Sequence, residues 1–276
     1  TVQEIAQTLN MSISNISFHI KLLQSACLVN MTHNHSKRGN EKIVALEKHY
    51  LEILFVKNED EPAVASHAFN CEIPVGSFVL SDITAPCGIA DAEGNLIGEE
   101  ALPDIFYNYR RIMGEIIWFT SGFVEYHIPN TAIKNKVLEN ILISLEVCSE
   151  CANYNNSFKS DITFILNGRE IGTYLSPGDF GGRRGKYTPP RWPAASTQYG
   201  MLVQIRIDEN GTWINQTNVS AENTIDDFAF ITKENCILFA LGVKKNAKYA
   251  GGLNLFGRNF GDYKQGIRIT VTYSDA

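Results

Sequence analysis

The sequence predicts an α+β protein of two parts: an N-terminal winged helix-turn-helix, truncated at its start, and a mainly antiparallel β-sandwich or jelly roll. Three observations carry this expectation. Residues 1–21 hold two short helix-period segments joined by a tight turn. A basic, polar tip at 33–40 lies between two apolar runs. From Val75 onward, nine apolar or alternating runs rich in β-branched and aromatic residues recur without a long helical pattern. The expected division is 1–56 for the helical unit, 57–74 for a linker and 75–276 for the β part.

In residues 2–9 the apolar positions Val2, Ile5, Ala6 and Leu9 fall at i, i+3, i+4 and i+7, one stripe of a helix. Asn10 and Met11 form the turn. Ser12 is placed to cap the next helix by accepting from its free first-turn amides. There Ile16, Ile20 and Leu23 form the buried stripe, with Ser14, Asn15, Ser17, His19 and Lys21 on other faces. Short polar side chains at the start of such a helix suit the major groove, where Asn bonds adenine through two atoms and Ser reaches base or phosphate. Residues 27–32 and 42–46 then read as strands around the tip, whose Lys37 and Arg38 would meet phosphate or the minor groove. The candidate DNA contacts are therefore Ser12, Ser14, Asn15, Ser17, His19, Lys21, Lys37 and Arg38, with a double-stranded operator as partner.

Residues 47–70 read as a short helix through Phe55, then an acidic run at 58–61 and Pro62. The β runs lie at 77–83, 115–119, 123–128, 141–148, 161–166, 170–175, 201–207, 236–243 and 266–273. Asn167-Gly168 and Asn210-Gly211 are two-residue hairpin signals.

Composition narrows the classes. Hydrophobic residues make up 44% and charged ones 20%, the balance of an ordinary globular chain. The net charge of −6 is uneven: residues 1–50 carry five basic side chains against three acidic ones, the remainder 19 against 27. An acidic body with a mildly basic arm suits local DNA contact better than general coating of nucleic acid. No apolar run approaches the roughly 18 residues that span a bilayer, and the first residues lack a charged-then-apolar leader. The expectation is a cytoplasmic protein with no membrane partner. The six cysteines are irregularly spaced apart from Cys148 and Cys151, so reduced thiols are expected. That CxxC has neither a second pair at zinc-ribbon spacing nor a strand-to-helix redox context, so no metal or cofactor is expected.

The segment VQEIAQTLNMSISNISFHIKLLQSACLV, followed by the wing, resembles the ArsR-type winged-helix repressors. Their pattern is a hydrophobic helix, a turn and a Ser-rich recognition helix ending in His-hydrophobic-Lys. Metal-sensing members carry a Cys-Val-Cys pair whose positions here are Thr1 and Gln3, so the resemblance implies no thiolate metal site. It implies a homodimer formed through flanking helices, one of which would precede Thr1. The whole chain resembles a family of predicted bacterial transcriptional regulators through SDITAPCGIADAEGNLIG (81–98), SDITFILNGREIGTYLSPGDFGGRRG (160–185) and GGLNLFGRNFGDY (251–263). That resemblance implies a DNA-binding regulator rather than an enzyme. The hairpin at 161–175 also looks like strands of galactose-binding-like jelly rolls, an analogy of fold.

The loop SPGDFGGRRGKYTPPRWPAASTQY (176–199) is too long for a passive connection. Arg forks clamp carboxylates or hydroxyl pairs, and a Trp plate covers a sugar face. The candidate ligand-binding residues are Asp179, Arg183, Arg184, Trp192 and Tyr199, joined by Glu150 and Asn155 from the polar cluster at 150–156. A carbohydrate or small polar metabolite is the expected effector. The competing account pairs Arg183 and Arg184 with local acids and uses Trp192 to plug the sandwich end. Trp118 reads as packing. Asp161, Asp226 and Asp227 read as solvated acids, and the glycines at 251–261 as turns rather than a phosphate loop. The rival function is a carbohydrate-binding or carbohydrate-processing protein whose helical unit is a docking module.

Overall fold

The computed structural model describes residues 1–25, 28–36, 39–46 and 67–275. The chain divides into two compact units, Thr1–Pro62 and Ala63–Ala276.

The first unit contains α1 (Val2–Thr8), α2 (Ile13–Ser25), β1 (Val29–Ser36) and β2 (Gly39–Leu46). Thr1 and Glu4 cap α1 reciprocally, each side chain accepting from the other's backbone nitrogen. Ser12 caps α2: its Oγ accepts from the Asn15 amide at 3.3 Å. Val2, Ala6, Ile16, Ile20 and Val29 form a small core against Ile5, Met31 and Val44. Leu9 and Leu23, expected on the buried stripes, are 57% and 41% exposed. The stripe narrows because α1 is only two turns long, and its contacts with α2 centre on Ala6, Ile16 and Ile20. The hairpin pairs from Val29↔Leu46 to Ser36↔Gly39, so its strands run further into 33–40 than the apolar pattern showed. Backbone pairing, not side-chain polarity, sets the extent of a two-stranded ribbon. Lys37, Arg38 and the expected helix through Phe55 lie outside the described residues.

The second unit is mostly antiparallel β-sheet. Its strands are β3 (His67–Ile73), β4 (Leu80–Ala90), β5 (Ile116–Pro129), β6 (Val137–Cys148), β7 (Ser160–Leu166), β8 (Arg169–Ser176) and β9 (Met201–Asp208). The rest are β10 (Gly211–Ile214), β11 (Thr217–Ser220), β12 (Cys236–Val243), β13 (Leu253–Phe256) and β14 (Ile267–Ser274). The main path runs β11-β10-β9-β6-β13-β5-β12-β7-β8, with β14 bridging β3 and β6 and β4 on β5. Strand β3 falls within the stretch assigned to the linker. Among the described residues it is an edge strand, paired with β14 alone, and its polar His67, Asn70 and Glu72 mask the β pattern.

Strand β5 joins two runs that look separate in sequence. Its first half pairs with β13 and its second with β12. The change of partner comes at Gly122, whose φ is 101°. A Cβ there would lie 1.9 Å from the Asp82 carbonyl oxygen, so only glycine lets β4 approach.

The core is aliphatic and aromatic, with Phe78, Phe106, Phe119, Phe164, Phe239 and Tyr126 fully buried. Strand β6 is buried on both faces at its end. Leu145 and Val147 enter this main core, while period-two alternation turns Glu146 and Cys148 to the other face. There Cys148 joins a second cluster with Ala90, Ile116, Trp118, Trp192, Phe256 and Phe260. That second cluster underlies the candidate site. Among the described residues no helix is long and apolar enough to cross a membrane.

Candidate functional site

In the first unit, α2 buries Ile16 and Ile20 and leaves Ser14, Asn15, His19 and Lys21 exposed, with Ser17 half-buried. Ser12 is exposed and occupied as the cap. The exposed row is uncharged at its start and gains a cation only at Lys21.

In the second unit, a cleft of about 250 Å³ opens over the second cluster. Its wall draws on β4 (Pro86), β5 (Trp118, Thr120), the turn after β6 (Glu150, Cys151, Ala152, Asn153), the long loop (Trp192, Ser196, Thr197), β13 (Asn254) and Glu100. Trp118 and Trp192 meet edge to face, with ring centroids 5.9 Å apart, and Trp192 meets Phe260 in the same way at 5.1 Å. The Trp192 indole N–H donates to the Thr197 carbonyl at 2.8 Å, which fixes its plane. Trp118 lies across β4 because residue 88 is glycine: a Cβ there would stand 2.0 Å from the indole.

Glu150 closes one end. Asn254 donates through Nδ2 both to the Ser149 carbonyl at 2.7 Å and to Glu150 Oε2 at 2.6 Å. The other Glu150 oxygen takes no hydrogen bond from a described residue. Burial, with the negative charge of Asp179 and then of Glu100, pushes the Glu150 carboxyl up to about 8 against the Asn254 bond. It is therefore mostly protonated at neutral pH.

Asp179 lies behind the cleft. Its Oδ2 accepts from the Cys151 amide at 3.0 Å and the Cys151 thiol at 3.5 Å, and its backbone pairs with Asn155. Burial pushes it up to about 6, opposed by its hydrogen bonds to Thr197 and Cys151. Burial and Asp179 together push the Cys151 thiol up to about 12, the reverse of what a nucleophilic or metal-binding thiolate needs.

Of the seven ligand candidates, the cleft wall brings together Glu150 and Trp192. Arg183 is elsewhere: its guanidinium forks onto Asp262 and lies 3.6 Å from the centroid of Tyr199, which stacks on Phe180. Arg184 donates to the carbonyls of Pro189 and Trp192. Asn155 caps its own turn by accepting from the Ser157 amide.

Sequence reasoning missed Asn254, Thr120 and Glu100, and treated Trp118 as packing alone. It also missed Glu146, which is buried and accepts from the amides of Gly200 (2.7 Å), Asp262 (2.9 Å) and Tyr263 (2.9 Å), lashing the long loop and the 257–263 segment to β6. Burial still pushes Glu146 up to about 7. A lone acid inside the apolar run of β6 was the available signal.

No protein-family model and no curated protein matches this chain. Among solved structures, a dimeric latent PorU from Porphyromonas gingivalis aligns over 90% of this chain and 18% of its own length, at 10% identity and a TM-score of 0.28. The chain thus spans under a fifth of that protein, and so distant a likeness carries no argument about fold or chemistry.

Proposed function

We propose that the chain is a DNA-binding transcriptional regulator of the ArsR-like winged-helix type, whose jelly-roll-like β unit senses a small polar ligand such as a carbohydrate. The observation that carries this reading is α2, which spends Ile16 and Ile20 on its core and presents Ser14, Asn15, His19 and Lys21 outward. A capped helix preceded by a short helix and followed by a β-hairpin is the layout that sets a recognition helix in the major groove. The β unit supplies the effector site through its aromatic-walled cleft. The working form is a cytoplasmic homodimer on a double-stranded operator, without a cofactor. An effector shifts operator affinity only if it binds one arrangement of the DNA-reading units more tightly than another.

The test is selection of duplexes from a random pool by the full chain, then titration of the enriched site. Asn15→Ala and Ser14→Ala should each cost about 1–3 kcal/mol, roughly 5- to 150-fold, on that site and little on random duplex. Lys37 and Arg38 replacements should weaken both and flatten the salt dependence. Failure to enrich any site defeats this reading. The cleft supports a second reading, a carbohydrate-binding or carbohydrate-processing protein with a helical docking module; glycoside turnover by a chain that ignores DNA would favour it.

A further inference from the structure

We infer that the Trp118–Trp192 cleft takes a protonated amine on a small hydroxylated carrier, of the amino-sugar type, with the ammonium against Glu150 and Glu100 and the ring over the indoles. This rests on the effector-sensing reading and narrows its ligand from polar to cationic.

The cleft's wall is one-sided in charge. Among the described residues it contains two carboxyl side chains, Glu100 and Glu150, and no Lys, Arg or His. Asp179 stands behind it and adds a third acid, while the neighbouring thiols Cys148 and Cys151 are held protonated. Several acids elsewhere in this unit are paired with bases, among them Glu72 with Arg258 and Arg268, Asp262 with Arg183, Asp227 with Arg169, Asp208 with Arg206 and Glu170 with Lys244. Among the described residues Glu150 has instead one side-chain amide donor, Asn254, and a second oxygen that accepts from none of them. An incoming positive charge supplies the partner that the wall lacks, and the ion pair it forms must outweigh the cost of ionising Glu150. Trp118 and Trp192, 5% and 8% exposed, add an apolar aromatic lining of the kind that a sugar ring and a cation both use. Asn254 and Thr120 leave polar groups for hydroxyls, and about 250 Å³ admits a single ring rather than a chain. On binding, Glu150 gives its proton to the solvent and remains as the carboxylate facing the ammonium.

The experiment is a thermal-shift and calorimetric titration of the full chain with glucosamine, glucose and N-acetylglucosamine at about pH 6.5. Glucosamine is charged there, and the other two are neutral rings of the same skeleton. The expected result is saturable binding of glucosamine, at least ten-fold tighter than either neutral sugar. Glu150→Gln should reduce that preference to within about two-fold while the protein's melting temperature and operator binding persist. Glu100→Gln provides a second variant, expected to weaken glucosamine several-fold and leave glucose unchanged. If glucose binds as tightly as glucosamine, the cationic inference falls and the polar-effector reading stands. If none of the three binds at tens of millimolar, both the inference and this cleft's role as the effector site fall. If glucosamine binds equally to Glu150→Gln, the ammonium is not seated where we place it.

Discussion

Trp192→Ala is the sharpest probe of how the long loop is held. Trp192 is 8% exposed and sits in a seven-residue cluster apart from the main core. Replacing a buried Trp by Ala costs about 3–5 kcal/mol where the surroundings cannot collapse. Here the rings of Trp118 and Phe260, at 5.9 and 5.1 Å, lose their edge-to-face partner, worth roughly 0.5–1.5 kcal/mol each. The hydrogen bond to the Thr197 carbonyl is lost as well, but that carbonyl borders the cleft and regains water. The cluster lies near the surface, so the expected loss is near the low end, about 3 kcal/mol. Trp192→Phe keeps most of the ring packing and should lose about 1 kcal/mol. Urea unfolding followed by circular dichroism reads both as a lower midpoint at unchanged slope. A loss below about 1 kcal/mol for Trp192→Ala would refute the argument that this indole pins the loop.

Other outcomes follow from the same geometry. Gly88→Ala places a methyl 2.0 Å from the Trp118 indole, so it should destabilise by about 1–3 kcal/mol and abolish binding in the cleft; an unchanged melting temperature would contradict the packing described. The folded state holds protons on Glu146 (about 7), Glu150 (about 8) and Asp179 (about 6) above their ordinary values of 4.5, 4.5 and 3.8. The contribution of these groups is full below about pH 4 and is lost as pH rises towards about 8, so the melting temperature should fall between about pH 5 and 8, less steeply in Glu150→Gln. A rise across that window would contradict the burial of these acids. Glu72 works in the opposite sense: despite burial, Arg258, the Gly266 amide and Arg268 hold it down to about 2, so its contribution is present above about pH 4.5 and lost on acidification towards 2. Glu72→Gln should therefore blunt acid unfolding.

Much of the secondary structure was legible because local chemistry agreed with the final partners. The i, i+3, i+4 spacing gave α1 and α2, and Ser12 marked the cap between them. Asn167-Gly168 closes the β7–β8 hairpin with φ of 44° and 80°, the left-handed pair its residues favour. What stayed hidden depends on distant pairing. Strand β13 is only Leu253–Phe256 between glycines, and its run is too short to show a period, yet it links β5 to β6. Thr120-Ser121-Gly122 looks like a break because a strand that changes partners needs a glycine there. The site was half visible. Trp192 and Glu150 stand out in polar loops, whereas Asn254 reaches the cleft only because β13 pairs Asn254 with Trp118 and Cys148. Arg183 looked free to grip a ligand because its partner Asp262 lies 79 residues away.

The central claim, a DNA reader controlled through a ligand-binding β unit, is tested most directly by fluorescence anisotropy of the full chain on its selected duplex, with and without saturating glucosamine. The account predicts sequence-specific binding that Asn15→Ala weakens at least five-fold. It also predicts an operator affinity that changes about 5-fold or more with the ligand in the parent but not in Glu150→Gln. Equal binding to the selected and random duplexes, or an affinity that glucosamine leaves unmoved while it demonstrably occupies the cleft, would contradict it.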